Sequence, residues 1–97
     1  MRLPNTITIA GHEIKIKYRK KLFVDGNECW GVYEEDSHTI YLKTGMESTR
    51  KMEIFLHECL HVIEDIHTLH LSEKEIKLLG IELLGLIRNN NINLLKK

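Results

Sequence analysis

The sequence predicts one α+β domain over residues 1–97: a small antiparallel sheet in the N-terminal half, then two helices, the first carrying the HExxH motif His57-Glu58-Cys59-Leu60-His61. Three observations predict it. Residues 6–18 and 29–43 alternate apolar and polar side chains, the strand period. Residues 48–66 change to apolar spacings of three and four, the helix period. Ser72-Glu73-Lys74-Glu75 has the form of a capping box, which opens a second helix.

In chain order, Thr6–Ala10 and Glu13–Tyr18 are the first two strands, with Ile7 and Ile9, then Ile14, Ile16 and Tyr18, as the alternating residues. Gly11-His12 is a tight turn between them, or a bulge in one longer strand. Arg19-Lys20-Lys21 reads as a solvated strand end. Asp25-Gly26-Asn27 is a turn signal. Cys29–Glu34 is the next strand, with Trp30, Val32 and Tyr33 packing. Glu35-Asp36-Ser37 turns the chain into His38–Lys43, completing a hairpin. In that last strand Thr39, Tyr41 and Lys43 share one face, and His38, Ile40 and Leu42 the other.

Thr44-Gly45 closes the sheet. The first helix begins at 47–49, with Ser48 as N-cap, and ends near Ile66. Lys51 stands where a capping box would place an acid. The second helix runs from Glu73 to Arg88. Its expected buried stripe is Ile76, Leu79, Gly80, Leu83 and Ile87, and Gly80 on that stripe predicts close approach to the first helix. Asn89-Asn90-Asn91 ends it. Beyond lies an apolar tail of Ile92, Leu94 and Leu95, which packs back or joins two copies of the chain.

Composition narrows the function. The 14 basic and 14 acidic residues give zero formal net charge, so nothing draws the chain electrostatically to nucleic acid. No apolar run reaches the ~20 residues of a membrane helix. Met1-Arg2-Leu3-Pro4-Asn5 has no apolar signal core after its charge, so a cytoplasmic protein is expected. Cys29 and Cys59 are too few for a disulfide framework and are expected to be reduced there. Cys59 stands two residues from each motif histidine, so on a helix it turns away from them into packing.

The motif carries the chemistry. Residues four apart lie on one face of a helix, one turn above the other, so His57 and His61 can reach one metal ion. Glu58 can reach a water on the ion's open side. Two histidines and a glutamate base so spaced are a zinc-hydrolase pattern. Catalytic zinc takes a third protein ligand. Glu73, twelve residues after His61 on the inward side of the second helix, is the first candidate. His67, six residues after His61, has the spacing of a longer histidine motif. That motif needs glycine where this chain has Glu64. Glu64, Glu75 and His70 remain behind these two, although Glu75 is better used as the capping-box acid. Glu64, one turn past His61, is either a solvated charge or the carboxylate that orients an imidazole. His38 and Tyr41 are candidate donors to an oxyanion. His12 and His70 read as surface or packing residues.

With these residues in place the chain resembles the small zincin-type metallopeptidases of bacteriophage and mobile elements, minimal relatives of ImmA/IrrE and SprT-like peptidases. The resemblance covers residues 31–90. It rests on Gly31-Val32-Tyr33, on Thr39-Ile40-Tyr41-Leu42, on the run Phe55 to Glu64 around the motif, and on Leu71 to Leu79. It implies a gluzincin-like zinc site of His57, His61 and Glu73, with Glu58 as general base and acid. It implies a peptide or protein substrate, bound as an added strand beside an edge strand near His38–Leu42. Two positions depart from the pattern: Glu64 where many relatives carry Asp, and Leu79-Gly80 where they carry Leu-Ala. The expected function is zinc-dependent peptide hydrolysis. The alternatives are a zinc-stabilised binding or regulatory module without turnover, and a metal-free helical interaction domain using the C-terminal tail.

Overall fold

The alternating segments form strands β1 (Thr6–Ile9), β2 (His12–Arg19), β5 (Gly31–Glu34) and β6 (Thr39–Lys43), and a small hairpin, β3 (Phe23–Val24) and β4 (Asn27–Glu28), stands between them. Helices α1 (Ser48–Ile66) and α2 (Glu73–Asn89) follow. The structure, a computed structural model, describes residues 3–90. The apolar tail Ile92–Leu95 lies outside the described residues. Both short turns use paired left-handed residues, Ala10 and Gly11 (φ 50° and 81°), then Asp25 and Gly26 (φ 52° and 82°). That backbone matches the twist of a two-residue hairpin, and glycine takes it without steric cost.

The sheet is mixed rather than antiparallel throughout. Its order is β1-β2-β6-β5, with β1/β2 and β5/β6 antiparallel and β2/β6 parallel. The reason lies in β6. Ile40 and Leu42 are fully buried, so this strand takes the centre, with Ile16 opposite Ile40 and Tyr18 opposite Leu42. Its hairpin partner β5, ending in exposed Glu34, is left on the edge. The expected edge near His38–Leu42 is therefore wrong: β6 is bonded on both sides, and the edge strands are β1 and, beside α1, β5.

α1 lies across one face of the sheet. Leu3, Ile14, Ile16, Ile40, Leu42 and Val62 form the core, and Ile54, Phe55, Cys59 and Tyr33 pack around it. Among the described residues, no helix is long and apolar enough to cross a membrane. Three local expectations are corrected. The N-cap of α1 is Glu47, whose carboxylate accepts from Thr49 N at 3.2 Å and Arg50 N at 2.7 Å, while Ser48 is already helical. Trp30 is not a packed strand residue: it stands before β5, 43% exposed, under Lys43 and Arg50. The buried stripe of α2 is Ile76, Gly80 and Leu84, whereas Leu79 and Leu83 are exposed. A helix packed on one neighbour buries a narrower stripe than one set into a broad core.

Gly80 lies where the two helices meet. A Cβ built there would stand 3.8 Å from the His57 backbone and 3.9 Å from Leu60 Cδ1, which is ordinary contact. The helix therefore has room for a methyl group. Gly80→Ala is expected to stabilise the protein by about 1 kcal/mol, the usual difference in a helix interior. A rise in the urea midpoint checks it, and a fall would mean that the helices are closer than 3.8 Å permits.

Candidate metal centre

His57 and His61 are one turn apart on α1, with ring centroids 5.1 Å apart. The capping box sets where α2 begins. Ser72 Oγ accepts from Glu75 N at 3.1 Å, and Glu75 Oε1 accepts from Ser72 N at 2.8 Å. Glu75 is thereby used at the cap. Glu73, the first residue of α2, is free to reach across to α1. Its Oε2 is 3.4 Å from His57 Nε2 and its Oε1 is 3.1 Å from His61 Nε2.

The fit to a metal can be tested on these distances. Four ligands at about 2.0–2.1 Å in a tetrahedron stand ~3.3 Å from one another. Each of the two Glu73 oxygens stands at about that spacing from one histidine, Oε2 at 3.4 Å from His57 and Oε1 at 3.1 Å from His61. All three ligand atoms lie within 4.8 Å of one another, and among the described residues this group could hold a metal ion. Burial, and then repulsion from His61, pushes the His57 pKa down, which favours the neutral imidazole that a metal needs.

Glu64 is the orienting carboxylate, not a solvated charge. Its Oε1 is 3.3 Å from His61 Nδ1, and its Oε2 accepts from Leu71 N at 2.8 Å. A proton on Nδ1 donated to Glu64 would leave the Nε2 lone pair for a metal, the tautomer that ligation requires. The Leu71 N–H and then the His61 ring hold Glu64 below the usual carboxylate range, so it stays charged. One side chain thus orients a histidine and ties down the connection that delivers Glu73.

Glu58 faces the sheet side of α1 and is only 6% exposed. Burial pushes its pKa up to about 7; His61 pulls it down, Glu73 pushes it up, and the Tyr33 backbone pulls it down. It shares with His57, His61 and Glu73 the lining of a cavity of about 740 Å³. Glu35, Glu58, Glu64, Asp65 and Glu73 line this cavity, without Lys or Arg, so its field favours a cation. Cys59 points into the core, as expected, and burial pushes its thiol up to about 12.

The remaining candidates fall elsewhere. His67 caps the C-terminus of α1 and is exposed; the helix runs through Glu64, and the chain turns only at Thr68 (φ 54°). His70 lines the cavity but is not in the ligand group. Neither candidate oxyanion donor lines the cavity: His38 packs edge-on to His12 at 5.6 Å, and Tyr41 lies under Arg19 at 4.8 Å. His38 is in the turn before β6, and Tyr41 is on β6, inside the sheet from β5. Several cavity residues, Tyr33 and Asp65 among them, escaped the sequence reading. Tyr33, on β5, donates its hydroxyl to Asp65 Oδ2 at 3.1 Å. Asp65 stands four residues after His61, a spacing that signals the same helix face. Comparison with family models, curated proteins and solved structures found no match for this chain.

Proposed function

We propose that the chain is a single-domain zinc metallopeptidase of the zincin type, with zinc held by His57, His61 and Glu73 and Glu58 as general base. The observation that carries this reading is the convergence of both imidazole Nε2 atoms on Glu73, at 3.4 and 3.1 Å, in the cavity whose wall contains Glu58. Two nitrogens and one carboxylate oxygen suit zinc, and three ligands facing a cavity leave a fourth position open, as catalytic rather than structural zinc requires. When bound, zinc supplies a Lewis acid for the scissile carbonyl and brings the pKa of a water to about 7.

The chain's own groups do the rest. Glu58, buried and poised near neutrality, takes a proton from the attacking water and later gives it to the leaving amine. Glu64 keeps the His61 ring turned for ligation. An extended peptide would pair with β5, the free edge beside α1, and not with the interior strand β6. The two free cysteines suit a reducing, cytoplasmic setting. The resemblance to minimal zincins of phage and mobile elements supports this reading, since it implies the same three ligands and the same base.

The test is elemental analysis of protein purified without chelator, with hydrolysis of an unfolded protein substrate followed in parallel. About one zinc per chain is expected, with cleavage lost to chelation and restored by zinc. A chain that takes up no zinc, even on addition, would end the proposal.

A further inference from the structure

We propose that Gly31 is a positioning residue for Glu58: the missing side chain lets β5 close on α1 and brings the Tyr33 N–H to the Glu58 carboxylate. The inference rests on the reading of Glu58 as the base. Gly31 is not needed for a special backbone angle, since the left-handed glycines are Gly11, Gly26 and Gly45. It is needed for space. A Cβ at Gly31 would stand 2.5 Å from Ile54 Cγ2, 3.3 Å from Glu58 Cγ and 3.4 Å from Leu42 Cδ2. The first of these is a clash. Ile54 is one turn before Glu58 on α1, and a β-branched side chain in a helix is held in one rotamer. Its Cγ2 cannot swing aside, so the strand must move, by about 1 Å to regain ordinary contact.

The strand's hydrogen bonding shows what would move with it. Lys43 N donates to Trp30 O at 2.9 Å, so residue 30 turns its backbone toward β6. With a period of two, Val32 and Glu34 do the same, and Gly31 and Tyr33 present their backbone groups to the free edge. Glu58 lies against this part of the strand, its Cγ 3.3 Å from where a Cβ at Gly31 would stand, and the Tyr33 backbone is a hydrogen-bonding group for its carboxylate. Further along, the Tyr33 hydroxyl ties the same strand to Asp65 near the end of α1. β5 is thus fixed to α1 on both sides of Glu58, and Gly31 sets the separation at one of those two points. A displacement of about 1 Å at a reacting group can cost about 100-fold in rate.

The test compares the full chain with Gly31→Ala and with the double variant Gly31→Ala/Ile54→Ala, which removes the nearest clashing atom. Zinc content, kcat and KM, and hydrogen exchange of the Tyr33 amide are measured for each. Gly31→Ala is expected to keep its zinc, to lose about 100-fold in kcat, and to exchange the Tyr33 amide faster. The double variant is expected to recover part of both losses, and it keeps the test alive should the single variant fold poorly. Wild-type kcat and unchanged Tyr33 exchange in Gly31→Ala would overturn the inference. A wild-type chain that hydrolyses nothing would instead remove the proposed function. The amide exchange, which needs neither metal nor substrate, would still decide whether Gly31 sets the strand against Glu58.

Discussion

Glu58→Gln is expected to keep its zinc and lose its hydrolysis. Glutamine matches glutamate in shape, and His57, His61 and Glu73 are untouched, so the ligand group stays assembled. What disappears is the ability to take a proton. General-base catalysis contributes about 10²–10⁴-fold, and the loss in kcat should fall in that range or above it. The same variant carries a stability signature. The buried Glu58 carboxyl titrates near 7 in the folded protein, against a reference of 4.5. The folded state therefore binds the proton more tightly than the unfolded state, and stability falls as pH rises between these values. Glutamine has no such proton. In chelator, Glu58→Gln should therefore melt above wild type at pH 8, and the gap should close as pH falls from about 7 toward 4.5. Melting curves across that range check the sign, and cleavage by Glu58→Gln at the wild-type rate would exclude Glu58 as the base.

How far the sequence could be read depended on the range of each interaction. The HExxH face was legible because a spacing of four is local: any helix there brings His57 and His61 together. Glu73 was legible because Ser72 and Glu75 mark where α2 begins, which leaves Glu73 as the acid that can reach α1. Strand order was not legible. It depends on which member of the β5/β6 hairpin is buried on both edges, a choice made by contact with β2, a strand far away in the chain. The error at the edge strand follows from that, and so do the misplaced roles of His38 and Tyr41. Tyr33 belongs to the cavity only because β5 is the outer strand. Gly31 gave no local signal, because what requires glycine there is Ile54, on another element. Trp30 looked like a core residue by type, yet Lys43 and Arg50 cover its ring at the surface.

Glu73→Ala is expected to release the zinc while leaving the fold in place. Glu73 is 74% exposed, so its removal creates no cavity, and the Ser72–Glu75 box that starts α2 is unaffected. The loss falls on the metal. Removing a partner that merely orients a ligand costs about 10–100-fold in affinity, and removing the ligand itself should cost more. With Glu73 gone, His57 and His61 remain as two neutral donors, without the charge that offsets a dication. Chelator competition on Glu73→Ala, beside His67→Ala, measures this directly. His67→Ala should bind as wild type, because His67 stands on the C-cap of α1, outside the ligand group. The opposite pattern would mean that the last turn of α1 unwinds when metal binds. That turn is held by Glu64, whose carboxylate joins the His61 ring to the Leu71 N–H. Unwinding it would break the contact that orients one ligand in order to recruit another, and the histidine pair with Glu73 already stands at ligand spacing without that cost.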